Sequence, residues 1–267
     1  MAFMPLADVH VPACTDGVAT TELDWQWATR TGGEVSASQR RALLGRLFRA
    51  LPGMVTDAVK TRIGRRGQGR VTFGTIAVPD SALALAAEQE ARDAVTPHVL
   101  EHCYRTYFFG KALAAMDGVQ VDDELVYVAS LLHDLQLEHP TPGRCFAVVG
   151  GERAARFVRD QGASEERAEA VGAAVAAHIT LGASENLSDP GGFVSAGAGT
   201  DVFGLRLSDL DAAWVDELLR RHPRLEFKQH MLKAWAAEGA AVPNGRAAWL
   251  TRYAAFPMLV KAAPFSE

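Results

Sequence analysis

Apolar residues recur along most of this chain at intervals of three and four, the period of a helix with one buried face, while strand-like alternation is scarce. The clearest stripe is Leu125, Val128, Ala129 and Leu132. Asp122 or Asp123 precedes it as a cap, and Pro140 sets its latest end. Upstream of it, Asp80 or Ser81 caps a helix through Ala94. Pro97 then opens a long helix that ends near Met116, ahead of Asp117-Gly118. Further helices are predicted over 144–161, 164–181, 208–221, 225–238 and 244–253. Nearer the N-terminus, Leu43, Leu44, Leu47, Phe48 and Leu51 give a helix from Gln39 that Pro52 stops, and a second short helix follows over 53–63. Residues 1–35 read as irregular, 64–74 as loop and 71–78 as extended. The Gly-, Ser-, Asn- and Asp-rich stretch 182–199 reads as a long loop, of a length often put to functional use. The prediction is an all-α protein. An N-terminal extension over 1–78, partly helical and free to pack on the rest, precedes a helical domain over 79–267.

Composition narrows the class. With 267 residues, 48% of them hydrophobic, the chain is long enough to bury a full core without disulfide staples. Its 27 basic and 32 acidic residues leave a net charge of −5, which argues against a general nucleic-acid coat. Cys14, Cys103 and Cys145 are widely spaced and odd in number, so no disulfide framework is implied and a reducing cytoplasm is the expected location. The first basic residue is Arg30, which does not suit a signal peptide, and runs such as 82–87 are too short to span a bilayer. The expected partner is a small-molecule substrate rather than a membrane or nucleic acid, with a homo-oligomer left open. Lys60, Arg62, Arg65, Arg66 and Arg70 form a basic cluster that reads as a solvated loop, relevant to chemistry only if it folds over a site.

Five histidines warrant a geometric reading. His133-Asp134 closes a strongly apolar helix, where burying either side chain without a partner is costly. Consecutive helical residues point about 100° apart, so one cation touches both only near the carboxyl end of the helix, where the dipole favours it. A pair satisfied by backbone groups remains the alternative. An antiparallel neighbour brings His102 opposite His133, and His98 lies one turn earlier on the same face. His178 ends another apolar run. Asp201, taken alone, reads as a helix cap. His10, His139 and His222 lie in polar or proline-flanked surroundings and read as surface residues.

In this order, a His, a His-Asp pair about thirty residues on and a distant Asp, the chain resembles the HD-domain superfamily of metal-dependent hydrolases. Its motifs look like those of the cyanamide-hydratase-like branch: His102-x-x-Arg105-x-Tyr107-x-x-Gly110, Leu131-Leu132-His133-Asp134, Ala177-His178-x-x-Leu181-Gly182 and Gly199-x-Asp201-Val202-x-Gly204, with Pro223-Arg224-Leu225-Glu226-Phe227-Lys228 in its C-terminal part. The similarity runs from about Pro79 to Leu250 and implies an HD-type helical bundle. It implies metal ligation by His102, His133, Asp134 and Asp201, and places His178 near the substrate. Two positions depart from the family: Gln136 where a glycine is usual, and Phe146-Ala147 where a Phe-Glu pair is common. Both bear on the substrate more than on the metal.

Two imidazoles and two carboxylates suit Zn, Mn, Fe, Co or Ni, with a vacant place for a water whose pKa the metal lowers. Asp134 is then a proton acceptor as well as a ligand, and His178 orients substrate or protonates the leaving group. Arg105, with Lys228 and Arg144, is the expected cation set for a phosphate ester. Tyr107, Phe108, Phe146 and Phe203 are the expected lining for a small nitrile. The leading expectation is a metal-dependent hydrolase acting on a phosphate ester or other small molecule. Hydration of cyanamide or a nitrile comes next, and a non-catalytic, metal-stabilised binding module third.

Overall fold

The computed structural model describes residues 23–64, 67 and 71–267. Among them the chain forms twelve α-helices: α1 (Trp25–Thr31), α2 (Ala37–Arg62), α3 (Ala82–Ala94), α4 (Pro97–Asp117), α5 (Asp123–Leu132), α6 (Phe146–Asp160), α7 (Glu165–Ala177), α8 (Pro190–Phe203), α9 (Ala212–Arg221), α10 (Phe227–Ala241), α11 (Arg246–Tyr253) and α12 (Phe256–Ala262). No β-strand forms among the described residues, and only two isolated bridges occur. The all-α reading holds.

Local chemistry sets most helix starts. Ser81, Asp122 and Ser164 each accept a hydrogen bond from the backbone N–H three residues on, satisfying donors that a helix start leaves open. Pro97 occupies the first turn of α4, and Gly118 ends that helix at φ 67°, in the left-handed region. α4 is buried on nearly all sides from His98 to Ala114 and serves as the central post. Leu100, Phe109 and Leu113 meet Val128, Leu131 and Leu132 of α5, Val175 of α7 and Phe193 of α8 in one apolar cluster. A second cluster joins Trp27, Leu43 and Leu47 of the N-terminal helices to Phe146, Phe227, Trp235 and Phe256. Residues ahead of 79 therefore share a core with α6 and α10–α12.

Several sequence expectations are corrected. The supposed loop 182–199 is half helix, because α8 begins at Pro190 with Asp189 accepting from Gly192 N–H. Glycine weakens a helix in isolation, but here it permits backbone contact: a Cβ on Gly197 would lie 2.0 Å from the Thr106 carbonyl oxygen of α4. Pro52 does not stop α2, which runs on to Arg62. The proline sits on the solvent side, where water can serve the carbonyl that its missing N–H leaves unpaired, while Leu43 and Leu47 anchor the opposite face. Residues 25–31, read as irregular, form α1, capped by Asp24 and anchored by buried Trp27. The extended reading of 71–78 gives way to a short 3-10 turn at Phe73–Thr75, and α12 had no predicted counterpart. His10, Cys14, Arg65, Arg66 and Arg70 lie outside the described residues.

Candidate metal centre

Three helix ends and one helix middle converge on a buried point. His102 lies within α4, His133 caps the end of α5 with Asp134 next to it, His178 caps the end of α7, and Asp201 is in the last turn of α8. The final carbonyls of a helix have no amide partner. His133 and His178 each use one, donating from Nδ1 to the carbonyl three residues back: Ser130 O at 2.7 Å and Val175 O at 2.6 Å. His102 donates from Nδ1 to Asp201 Oδ2 at 2.7 Å. A carbonyl or ionised carboxylate can only accept, so the proton of each ring resides on Nδ1 and its Nε2 faces inward as the free site. His102 Nε2 and His133 Nε2 are 3.2 Å apart. Asp134 Oδ2 lies 3.6 and 3.4 Å from them, and Asp134 Oδ1 lies 3.5 Å from His178 Nε2.

This arrangement brings lone pairs together away from water, which is unfavourable unless a positive charge is shared among them. Burial works against charge on Asp134, yet the imidazoles, His133 foremost, hold its carboxyl well below the usual range. Burial alone would depress His133, but the Asp134 carboxylate outweighs it and raises that imidazole well above its ordinary value. His102, where burial dominates over the pull of Asp201, falls to about 4. A divalent ion relieves this conflict for the whole group. His102, His133 and Asp134 each offer a ligand atom, all within 4.8 Å of one another. A set of two nitrogens and one oxygen fits a first-row transition metal and leaves positions open.

Asp201 does not join that group of three. Its oxygens are occupied from behind by His102 Nδ1, by Arg105 Nε at 2.8 Å and Nη2 at 3.0 Å, and by Arg224 Nη1 at 2.8 Å. The two guanidiniums hold its carboxyl far below the usual range against the effect of burial. In this position Asp201 fixes the ring of His102, where the sequence suggested a fourth ligand. Arg105 is likewise structural: fully buried, it spends its remaining N–H groups on the carbonyls of His222 and Pro223. Lys228 donates to the carbonyls of Ala263 and Phe265, and Arg144 pairs with Glu152. His98 sits with Thr96 and Glu138 and stacks on His230, off the cavity wall. Of the residues expected on the surface, His139 is exposed and His222 is half-buried against Glu101.

In front of the free Nε2 atoms opens a cavity with about 740 Å³ of atom-free space, part of it open to solvent. His102, His133, Asp134 and His178 form one end. Phe146 and Phe203 line it as expected, whereas Tyr107 packs edge-on against Tyr127 in the core and Phe108 also lies off the wall. Three wall groups went unread in the sequence: Met231 and Trp235 of α10 and Phe256 of α12, the last two stacked at 3.7 Å between ring centres. Among the described residues, no lysine or arginine lines the cavity. Arg224 was visible only as one letter of a longer run. Nothing in its spacing announced that it would reach Asp201.

A family model described as the HD domain matches residues 99–213. Over that segment the chain is similar to HD domains. HD domains make up a superfamily of metal-dependent hydrolases, which accords with the donor set found here. The matched segment runs from α4 into α9 and contains His102, His133, Asp134, His178 and Asp201. It ends before α10–α12, so Met231, Trp235, Leu250 and Phe256 of the cavity's apolar wall come from beyond the matched segment. No curated protein matches the chain. No helix among the described residues is long and apolar enough to cross a membrane.

Proposed function

We propose that this chain is a metal-dependent hydrolase or hydratase acting on an uncharged, largely apolar small molecule. The observation that carries this reading is the cavity wall: beside the three candidate ligands it offers, among the described residues, apolar side chains and a few hydroxyls, Thr180, Ser184 and Ser195, and no cation. A phosphate ester brings negative charge that binding sites meet with arginine, lysine or backbone amides. The three cations proposed from sequence for that task are engaged elsewhere. A neutral amide, ester or nitrile needs only an apolar pocket with a few polar groups.

His102 Nε2, His133 Nε2 and Asp134 would hold the metal, with Asp201 locking the His102 ring. A divalent metal bound there supplies Lewis acidity and makes water a usable nucleophile near neutral pH. Asp134 keeps a carboxylate next to the reacting centre, able to accept a proton from attacking water. His178, neutral because burial depresses its pKa, carries its exchangeable site at Nε2, facing both Asp134 and the cavity. That position suits its free Nε2 to take up the proton that Asp134 accepts from water and hand it to the departing or newly formed nitrogen or oxygen. The aromatic and aliphatic wall excludes water from the substrate body.

The test is a metal-loaded preparation assayed on matched panels sharing the same apolar groups: neutral amides, esters and nitriles against phosphomonoesters and nucleotides. Turnover is expected in the neutral panel and lost in His133→Ala. Faster turnover of the phosphates would overturn the reading.

A further inference from the structure

We infer that the outward face of α2 docks on the surface of an anionic lipid bilayer. α2 turns Leu43 and Leu47 inward, with Ala50, Met54, Asp57 and Thr61 half-buried along the same side. At about 100° per residue, Phe48, Leu51, Val55, Val59 and the capping Ile63 fall within a sector of roughly 120° on the opposite side. They are 69%, 40%, 58%, 52% and 66% exposed. This makes an aliphatic stripe about 22 Å long, at 1.5 Å of rise per residue. Scattered exposed apolar residues need no explanation, whereas a continuous row of them marks a contact surface.

Charge selects the occupant. α2 carries Arg40, Arg41, Arg46, Arg49, Lys60 and Arg62, in a protein whose net charge is −5. Its one acidic residue, Asp57, faces the protein and accepts from Arg206 N–H and the Ser208 hydroxyl. Exposed Arg49 and Lys60 border the stripe on one side, and exposed Arg41 and Arg62 stand at its two ends. A second copy laid antiparallel across Val55 would set Arg49 beside Lys60 and Arg62 of its mate, so like charges oppose self-pairing. Lipid phosphates meet the basic border while the interfacial region accepts the aliphatic row, the arrangement of a helix that lies in a membrane surface. Such a helix needs no spanning length.

The cavity lies across α2 from this face, since a Cβ on Gly182, a wall residue, would touch the stem of Arg46 on the inward side of the helix. A lipid surface under the stripe would hold the cavity about one helix diameter from the interface where apolar substrates concentrate. This last link rests on the substrate reading above, whereas the docking itself does not.

The test is co-sedimentation of the full chain with vesicles of phosphatidylcholine alone or mixed with phosphatidylglycerol. The protein should bind the mixed vesicles and release as salt rises. Phe48→Ser/Val55→Ser and Lys60→Glu/Arg62→Glu should each weaken partitioning by about tenfold or more, with unchanged helix content and metal content. Equal binding to neutral vesicles, no binding to either, or unaltered binding by the Phe48 and Val55 variant would overturn the proposal. So would a concentration-dependent dimer of the wild type that the same variant dissolves, since a second copy would then cover the stripe. No readout depends on metal or turnover, so this inference and the proposed activity fail separately.

Discussion

His102 and Asp201, 99 residues apart in sequence, share a 2.7 Å hydrogen bond that neither exposes to water. The bond sets which imidazole nitrogen is free, and so decides that His102 Nε2 faces His133. Arg105 and Arg224 hold the carboxylate from the other side.

Replacing Asp201 with Asn removes the countercharge from two buried guanidiniums. Breaking such a network should cost about 3–5 kcal/mol of folding stability. Losing the carboxylate behind a ligating histidine should also weaken metal affinity by about 10–100-fold. Metal titration followed by elemental analysis checks this. Asp201→Asn should fill at high metal concentration, whereas His133→Ala, which removes a ligand, should not recover full occupancy.

Two glycines in helices should respond to alanine with opposite sign. A Cβ on Gly45, in α2, has nothing within 4 Å, so Gly45→Ala should stabilise by about 0.5–1 kcal/mol. A Cβ on Gly197 would strike the Thr106 carbonyl, so Gly197→Ala should destabilise by about 2–3 kcal/mol. Urea unfolding of both variants reads the two signs directly.

Phe256→Ala removes the ring stacked on Trp235 at the cavity wall. A loss of about 3–5 kcal/mol is expected from the vacated volume. Metal stoichiometry should be unchanged, because Phe256 touches no ligand atom. KM for an apolar substrate should rise more than kcat falls.

Burial, and then the neighbouring His230, lower the pKa of His98, against an opposing pull from Glu138. A histidine whose folded pKa is depressed binds fewer protons folded than unfolded once the pH drops below its ordinary value of 6.5. Its contribution is therefore present at pH 7.5 and is lost as the solution is acidified. Denaturant unfolding should show lower stability at pH 5.5 than at pH 7.5, and His98→Gln should shrink that difference. An unchanged pH slope in the variant would contradict the assignment.

Where the chain's own local chemistry rules, the sequence was readable. Ser81, Pro97, Asp122, Ser164 and Gly118 act through bonds to residues three or four positions away, so their effects show in a window of a few letters. The adjacency of His133 and Asp134 after an apolar run was similarly informative, because a buried pair at a helix end demands a partner. Pro52 and the glycines of α8 misled for the converse reason. Their intrinsic preference opposes a helix, and what reverses it lies in a distant element: the packed face of α2, and the carbonyl of Thr106.

The linear order of residues thus determined the helical class, most helix boundaries and the identity of the histidines and carboxylates available for metal. Only the folded arrangement sets which of them lie together, His102, His133 and Asp134 in one group and Asp201 behind His102. Whether Asp201 grips a cation or steadies His102 depends on Arg224 arriving from beyond α9. Whether Arg105 meets substrate depends on the side of α4 that α8 covers. Charge fields and cavity walls are sums over residues remote in sequence, and no local pattern encodes which of them will meet.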